Sequence, residues 1–376
     1  MKVLLTAASI LALGAVVACG ELPAESNVVD LRVLAVKSEP AGFLVDPNNP
    51  GAATDDQLRA QITALVVDPS GAGMELELTA AVGCPDYIDT ITAASQQANA
   101  SKLCPPPDAV NGLPPDIAAV LMTQPIAAPD PNPVPPAGPD GFQWTPTVSF
   151  GLSQMQIEAF FAKDTSTLPP AIAYSILLNR EFGLAGIVNL SFAVNGQTVD
   201  VIKRVVYWPQ LGYPGEHVNT NPTLGDPADP SVPQIRFYKH RDETTGNPDQ
   251  PLPDDMPPRL SIAAGDKLYV EPNYLPAAID SYQIKILNTA TNTFDTKVVD
   301  KELLRFQFYA TAGKFDPEMQ FSELSPILVG GMLHTDSEYV LPKEVPGPGA
   351  IVTIWLVTHD ERAGSDWATR TVIIDP

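Results

Sequence analysis

Alternation of hydrophobic and polar residues with a period of two is the dominant pattern in this chain. In the first half it predicts strands at 31–36, 60–66 and 74–82. A period of two places one face of a strand on a core and the other in water. The third strand has the clearest pattern, and its predicted core face consists of Met74, Leu76, Leu78, Ala80 and Val82.

A tight hairpin is predicted at the end of the first half. The pair Asn195-Gly196 separates two alternating apolar segments, 187–194 and 198–208. Both central positions of such a turn need a positive φ, which asparagine and glycine tolerate best.

Short strand patterns recur through the second half at the roughly 8 to 12 residue spacing typical of an antiparallel sandwich. The predicted strands are 234–239, 259–262, 267–271, 282–287, 293–299 and 303–309. Segments 351–359 and 367–374, joined by a turn over 360–365, predict a terminal hairpin. The pattern therefore indicates an all-β protein.

Two proline-rich segments interrupt this pattern. Regular alternation is lost from 84 to about 170, and 105–146 alone contains thirteen prolines. We interpret 84–170 as a long, partly helical insertion, with helices predicted at 89–103 and after Ser153, where Gln156 completes a capping box. The segment 209–233 is the second, and it is predicted to be a stiff linker.

The first nineteen residues have the pattern of a bacterial lipoprotein signal. Lys2 precedes a short apolar run that ends in small residues before Cys19. Residues 1–18 are therefore predicted to be removed and Cys19 to carry the lipid, with 19–30 as a tether; the alternative is an ordinary cleaved signal followed by cysteine. Gly20 is not the aspartate associated with inner-membrane retention, so we expect the outer membrane.

The charge balance restricts the possible partners. The 44 acidic and 22 basic residues give a net charge of -22, and loss of Lys2 with the signal makes it 21 minus 44, or -23. Such a chain is repelled by phosphate backbones and by anionic lipid surfaces. Nucleic acid is therefore excluded as an expected partner, and membrane contact is expected through the lipid alone.

With Cys19 assigned to the lipid, Cys84 and Cys104 remain as a pair in an oxidising compartment. A disulfide is the expected outcome there. The alternative is a metal pair, but two thiols without nearby histidines do not complete a four-ligand zinc site.

Candidate catalytic or metal-binding residues are few, and no local catalytic motif is present. His359 precedes Asp360 and Glu361, a group able in principle to bind a metal or transfer a proton. Its place in a predicted turn favours solvated polar residues instead. The remaining histidines are scattered: His217, His240 and His334.

Two groups of acidic and amide residues are candidates for calcium, which prefers oxygen ligands. Neither completes an EF-hand spacing, and turn formation is the commoner role of Asp and Asn in such loops. The first group consists of Asp46, Asn48, Asn49, Asp55 and Asp56, and the second of Asp226 and Asp229.

Two aromatic residues, Trp208 and Tyr213, flank the predicted linker. Exposed aromatic rings at such a junction stack on sugars or anchor protein partners, whereas buried ones pack the two halves together. We keep both interpretations for this pair. The other tryptophans, Trp144, Trp355 and Trp367, are expected in the core or in strands.

Three segments carry a resemblance to a known group of proteins. The sequences LRVLAVKSEP (31–40), FQFYATAGKF (306–315) and IWLVTHDERAGSDW (354–367) resemble segments of immunoglobulin-like domains in uncharacterised lipoproteins of Gram-negative bacteria. The resemblance implies two immunoglobulin-like antiparallel β-sandwiches, 31–208 and 234–376. It implies no activity, cofactor or catalytic residue.

The expected function is that of a non-catalytic lipoprotein without a cofactor, acting as a structural or protein-interaction module of the cell envelope. Its expected partners are the membrane, through the lipid, and an envelope protein. The alternative is a carbohydrate-binding or adhesive module with a glycan as partner. An enzyme assembled from dispersed residues is a third possibility, because catalytic sites need not leave a local motif.

Overall fold

We analysed a computed structural model, which describes residues 25–86, 104, 124–126, 141–162, 164, 166, 177, 180–181, 183–240, 250–275, 280–288, 290–291, 293–322 and 335–376. Strands dominate these residues, which confirms the predicted all-β class. The predicted signal 1–18, Cys19, Gly20, the predicted helix 89–103 and His334 lie outside them.

The first half contains nine strands and one α-helix within the described residues. The helix α1 spans Gln154–Ala162 and begins with the predicted capping box, because Ser153 N donates to Gln156 Oε1 and Gln156 N to Ser153 Oγ. The strands are β1 Arg32–Glu39, β2 Gly42–Val45, β3 Arg59–Val67, β4 Glu77–Asp86, β5 Gln124–Pro125, β6 Gln143–Trp144, β7 Thr147–Gly151, β8 Leu184–Val194 and β9 Gln197–Pro209.

These strands form two sheets that enclose a common core. One sheet has β3 at its centre, with β1 on one edge and β6 and β7 on the other. The second has the order β2-β9-β8-β4-β5, in which β2 runs parallel to β9. Ile62 and Phe150 from the first sheet pack with Phe192 and Tyr207 from the second. Strands β6 and β7 lie inside the range 84–170, so this part of the predicted insertion belongs to a sheet.

The predicted core face of the third strand is wrong over part of its length. Met74 lies before β4 and is 46% exposed, whereas Leu76 is buried as expected. An irregularity in register between Leu78 and Ala80 then changes the phase, so Ala80 is exposed while Gly83 is buried. A β-bulge adds one residue to a strand and reverses the faces beyond it, which a strict period of two cannot represent.

Eleven strands follow in the second half. They are β10 Ile235–Tyr238, β11 Arg259–Ser261, β12 Leu268–Pro272, β13 Tyr282–Asn288, β14 Thr293–Val299, β15 Arg305–Ala310, β16 Lys314–Asp316, β17 Met319–Phe321, β18 Ser337–Val340, β19 Ala350–His359 and β20 Ser365–Asp375.

The strand order of the second half resembles that of the first, with an additional strand β16 beyond β18. One sheet has the order β10-β12-β18-β16, and the other has the order β11-β20-β19-β15-β17. In each half the first strand pairs antiparallel in one sheet, and the short second strand runs parallel to the last strand in the other. These two sheets enclose a core rich in aromatic rings, including Phe237, Phe306 and Phe308, and β13 and β14 form a third sheet of two strands.

Both predicted hairpins are confirmed. Asn195 and Gly196 have φ values of 50° and 80° and join β8 to β9. In the second half β19 pairs with β20 from Ala350 opposite Ile374 to His359 opposite Ser365.

A third apolar cluster joins the two halves. Leu34 from β1 and Leu65 from β3 pack with Trp355 and Val357 from β19, and all four are buried. Trp355 Nε1 donates to Gln143 Oε1 at 2.7 Å, which satisfies the one polar atom of the buried ring. The outer face of the first sheet is therefore covered by the second half.

Polar contacts surround this apolar cluster. Ser365 Oγ donates to Val36 O at 2.8 Å, and the buried Lys203 ammonium donates to Ala363 O. In the predicted linker 209–233, Asn221 Nδ2 donates to Ser38 O at 2.8 Å. The linker is thus tied to both neighbours, because Ser365 N also donates to Asn221 Oδ1 at 2.9 Å.

The described part of the predicted tether 19–30 lies against the second half. Val28 N donates to Ala310 O, and Ala310 N donates to Ser26 O, each at 2.8 Å. Ser26 Oγ also donates to Glu318 Oε1 at 2.9 Å. The chain therefore contacts the second half before it enters β1 of the first.

Candidate functional site

The structure brings Trp208 and Tyr213 together in an open cleft where the two halves meet. The cleft is partly open to solvent. Leu44 and Trp208 belong to the first half, Tyr213 to the segment after β9, and Tyr282 and Lys285 to β13. The cleft therefore exists only because both halves contribute to it.

The indole of Trp208 packs closely against the backbone of β2. A Cβ atom at Gly42 would lie 3.4 Å from Trp208 Nε1, which is an ordinary contact, but only 2.9 Å from Val206 O, so the pairing of β2 with β9 requires glycine here. The Nε1 atom of Trp208 is buried and has no hydrogen-bond partner among the described residues. The Trp208 side chain is half-buried overall and forms part of the cleft wall.

A short closed loop positions Tyr213. The Glu216 carboxylate accepts from Leu211 N at 2.7 Å and from Gly212 N at 2.8 Å, and Gly212 has a φ of 76°. The Tyr213 hydroxyl accepts from Gln283 N at 3.4 Å, which links the loop to β13. The ring is thus held from two sides.

The turn between β19 and β20 supplies a buried cation behind the cleft. The side chain of Arg362 is 8% exposed, and its Nε donates to Glu302 Oε1 at 2.9 Å. It also donates to Asp280 and lies over the Tyr282 ring, with Cζ 4.3 Å from the ring centroid. The turn thus contains a buried arginine whose guanidinium contacts Glu302, Asp280 and Tyr282.

Burial shifts the pKa values of this ionic network. The pKa of Glu302 is raised because burial outweighs the stabilising hydrogen bond from Arg362. Burial also raises the pKa of Asp360, although Asn219 donates to it. Burial opposes the charge on Arg362, but its bonds to Glu302 and Asp280 prevail and raise its pKa.

His359, Asp360 and Glu361 point to different partners. Burial, followed by the charges of Arg305 and Lys203, lowers the pKa of His359 to about 4. The Asp360 carboxylate accepts from Gly364 N at 2.6 Å and from Arg362 N at 2.9 Å, while Glu361 accepts from Tyr282 Oη at 3.1 Å. Their bonds stabilise the turn and its neighbours.

Three of the calcium candidates, Asp46, Asp55 and Asp229, accept hydrogen bonds from backbone N–H groups. Asp46 accepts from Asn48 N at 2.8 Å, and Asp229 accepts from Ser231 N at 3.0 Å. Asp55 lies beside Asp56 in a short 3-10 helix and accepts from Gln154 N at 2.6 Å. Among the residues that the structure describes, no three acidic, histidine or cysteine side chains converge as metal ligands.

The predicted disulfide is present. Cys84, which is buried in β4, is bonded to Cys104, with a Cα to Cα distance of 5.6 Å. In the described part of the chain, no helix has the length and apolar character needed to cross a bilayer.

The cleft offers aromatic faces beside polar groups. Lys285 and the amide of Gln283 lie in its lining with Trp208 and Tyr213. His217 also lines it, but its Nε2 contacts Asp280 at 3.0 Å and its Nδ1 contacts Gly215 O at 3.1 Å. Aromatic rings beside amides and charges are suited to stacking and hydrogen bonding.

Sequence reasoning found Trp208 and Tyr213 but missed Tyr282, Lys285 and Arg362. The presence of arginine in an otherwise acidic turn was the one available signal for Arg362. Its partner Glu302 is 60 residues away in sequence, and only the fold brings the two together.

Comparison with known proteins adds little. No family model matches the chain, and no curated protein matches it. Among solved structures, the adhesin InvE of Yersinia pseudotuberculosis aligns over 91% of this chain and 60% of its own, with 10% identity and a TM-score of 0.17. The present chain thus covers less than two thirds of that adhesin chain, and a TM-score of this size does not establish a common fold.

Proposed function

We propose that the protein is a lipid-anchored, non-catalytic interaction module of the cell envelope, built from two immunoglobulin-like sandwiches. The strand order supports the choice of fold, because each half has a first strand in one sheet and a short second strand parallel to the last strand in the other. In each half the N-terminal segment thus contributes one strand to each sheet. This arrangement is compatible with the sandwiches of seven to nine strands in that class.

The junction cleft is the observation that carries the interaction role. Exposed parts of Trp208 and Tyr213 lie beside Lys285 in this cleft. The apolar contacts between the two halves keep the cleft in place. Aromatic side chains held on a rigid framework bind at little entropic cost, which is why they dominate binding hot spots.

The first experiment tests both the lipid anchor and the location of the protein in the cell envelope. Full-length protein and a Cys19→Ala variant are expressed in the native host, and cell fractions are probed before and after treatment of intact cells with protease. We expect the wild type in the membrane fraction and the variant released from it. Wild-type protein that remains soluble after fractionation would refute the lipid anchor.

A carbohydrate-binding role is the alternative, favoured by the pairing of Trp208 and Tyr213 with amide and carboxylate groups in one open cleft. A glycan array is probed with the wild type, Trp208→Ala and Tyr213→Phe. Loss of a signal in Trp208→Ala, with most of it kept in Tyr213→Phe because the ring remains, would support sugar stacking. Glycan binding that is equal in all three proteins would place the sugar elsewhere.

A further inference from the structure

The junction cleft is surrounded by more acidic than basic groups. Four carboxylates line the cleft or bond to a residue of its wall: Glu181, Glu216, Asp280 and Glu361. Two cations line it, Lys285 and Arg362, and His217 adds at most one more where it contacts one of these carboxylates. Glu302 and Asp360 lie behind the wall, and their raised pKa values make them weaker sources of negative charge. The balance of charge therefore favours a cation in the cleft.

The positive charge of Arg362 is already compensated inside the protein. Its side chain is 8% exposed, and its guanidinium donates to both Glu302 and Asp280. It therefore opposes an incoming positive charge far less than an unpaired arginine would. The net charge of -22 on the whole chain acts in the same direction, because it raises the concentration of cations near the surface.

A buried amide adds a further preference for positive charge. Asn219 lines the cleft and is 2% exposed, and its Nδ2 donates to Asp360 Oδ2 at 3.1 Å and to Arg362 O at 3.3 Å. Its Oδ1 is also buried, and no donor reaches it from the described residues. An acceptor without a donor keeps its partial negative charge uncompensated in surroundings of low dielectric. A positive charge nearby would offset it.

The aromatic rings of the cleft are suited to a planar cation. Trp208 and Tyr213 are partly exposed, and a cation over the face of such a ring is attracted by its quadrupole. An arginine guanidinium is planar, stacks on aromatic faces and carries five donors. The protein already contains one pair of this type, because Arg362 lies over the Tyr282 ring with Cζ 4.3 Å from the centroid.

We propose that the junction cleft receives a basic side chain, arginine in particular, from an exposed segment of a partner protein, which rests on the interaction role proposed above. The guanidinium stacks on Trp208 or Tyr213, and the surrounding carboxylates, including Glu181, balance its charge. A lysine ammonium has the charge but lacks the planar surface for stacking, so we expect lysine to bind more weakly.

Peptide selection on the purified full-length protein tests the chemistry of the ligand. Short random peptides displayed on phage are selected at about 0.15 M salt, and the enriched sequences are synthesised. We expect them to share an arginine. Replacing that arginine by citrulline, which keeps the shape but not the charge, should weaken binding about tenfold in fluorescence anisotropy.

Glu181→Gln tests the contribution of the cleft charge. Glu181 is only partly buried, so this change removes a charge with little disturbance to the fold, and we expect the peptides to bind about fivefold more weakly. The matched control is Glu75→Gln. Glu75 is exposed and precedes β4 near the Asn195-Gly196 turn, whereas Trp208 lies at the opposite end of β9, so this variant should bind as the wild type does.

Removal of single rings tests the place of binding. Trp208→Leu and Tyr213→Leu are each expected to weaken binding about tenfold. Thermal unfolding of both variants is compared with that of the wild type. Tyr213 lies in a loop, so its variant gives the decisive result where loss of the indole disturbs the fold.

The outcomes separate the ligand from the interaction role. Peptides that need Trp208 or Tyr213 but bind equally well to Glu181→Gln, or with citrulline in place of arginine, would keep the interaction role and overturn the basic ligand. A glycan that needs Trp208 and binds equally to Glu181→Gln would also overturn it and assign the cleft to sugars. If no peptide depends on either ring, the cleft is not the interaction site, and both proposals fail.

Discussion

The two halves of the molecule have similar strand orders and differ in the segments that connect their strands. In the first half the long connections join β4 to β5 and β7 to β8, and in the second half the β13–β14 hairpin lies between β12 and β15. The cleft combines the end of β9 with this hairpin. The cleft thus combines the end of a core strand with connecting segments, while the equivalent strands form the two cores.

The halves also differ in what they bury. The first core is apolar apart from groups such as the Tyr207 hydroxyl, which donates to Leu58 O at 2.9 Å and accepts from Leu152 N at 2.8 Å. The second half buries an ion pair between Arg362 and Glu302 at its edge. A neutral hydroxyl thus lies in the first core, whereas the second half buries a charged pair.

The largest expected effect comes from breaking the contact between the halves. Trp355→Ala empties a fully buried site and removes the bond to Gln143, so we expect a loss of about 4 kcal/mol. Denaturant unfolding followed by two probes, one in each half, should change from one transition to two. Ile351→Ala on the same strand, where the side chain is 54% exposed, is the control. A single unchanged transition in Trp355→Ala would show that the halves are not coupled through this cluster.

Removal of the buried Arg362 guanidinium is expected to lower the free energy of unfolding slightly less. Arg362→Ala leaves the Glu302 carboxylate, whose side chain is 2% exposed, without its partner, and breaking such a pair costs about 3 kcal/mol or more. Arg259→Ala removes a pair with Asp375 in which the arginine side chain is 64% exposed, and it should cost under about 1 kcal/mol. Equal losses in the two variants, measured by urea unfolding, would contradict the assigned difference in burial.

The disulfide should stabilise the first half alone. Cys84 and Cys104 are separated by 20 residues, and closing a loop of this length contributes about 3 kcal/mol. In the Trp355→Ala background, reduction should lower only the transition of the first half. Reduction that lowers the second transition equally would show that the halves remain coupled.

The smallest expected effect is a change in how stability falls at acidic pH. The neutral form of His359 is favoured in the folded chain, where its pKa is about 4, below the usual 6.5. The unfolded chain therefore binds more protons between these values, and the contribution of His359 is present above pH 6.5 and lost as the pH falls to about 4. His359→Gln should reduce the fall in unfolding midpoint over this window, whereas His240→Gln, at an exposed position, should not. Identical pH profiles for wild type and His359→Gln would contradict this.

Much of the fold was predictable where local rules decide it. The turn at Asn195-Gly196, the capping box at Ser153 and the terminal hairpin all depend on residues adjacent in sequence. The faces of β4 were not predictable, because the bulge between Leu78 and Ala80 has no local composition signal. Alternation identifies a strand but does not reveal where its phase changes.

The candidate site was predictable only in part. Trp208 and Tyr213 stood out because aromatic residues flank a proline-rich segment. The pairing of Arg362 with Glu302 and Asp280 depends on contacts over 60 and 82 residues, which no pattern in the sequence encodes. The folded structure determines which charges are buried together. An electrostatic network therefore cannot be predicted from sequence patterns in the way that turns and strands can.

The attachment of residues 26–28 to β15 determines how far the body of the protein can stand from a bilayer. If Cys19 bears the lipid, only seven residues lie between the acyl chains and the first bond to the second half, at Ser26. A fully extended segment of that length spans about 25 Å. The part of the protein around β15 would then lie close to the membrane surface.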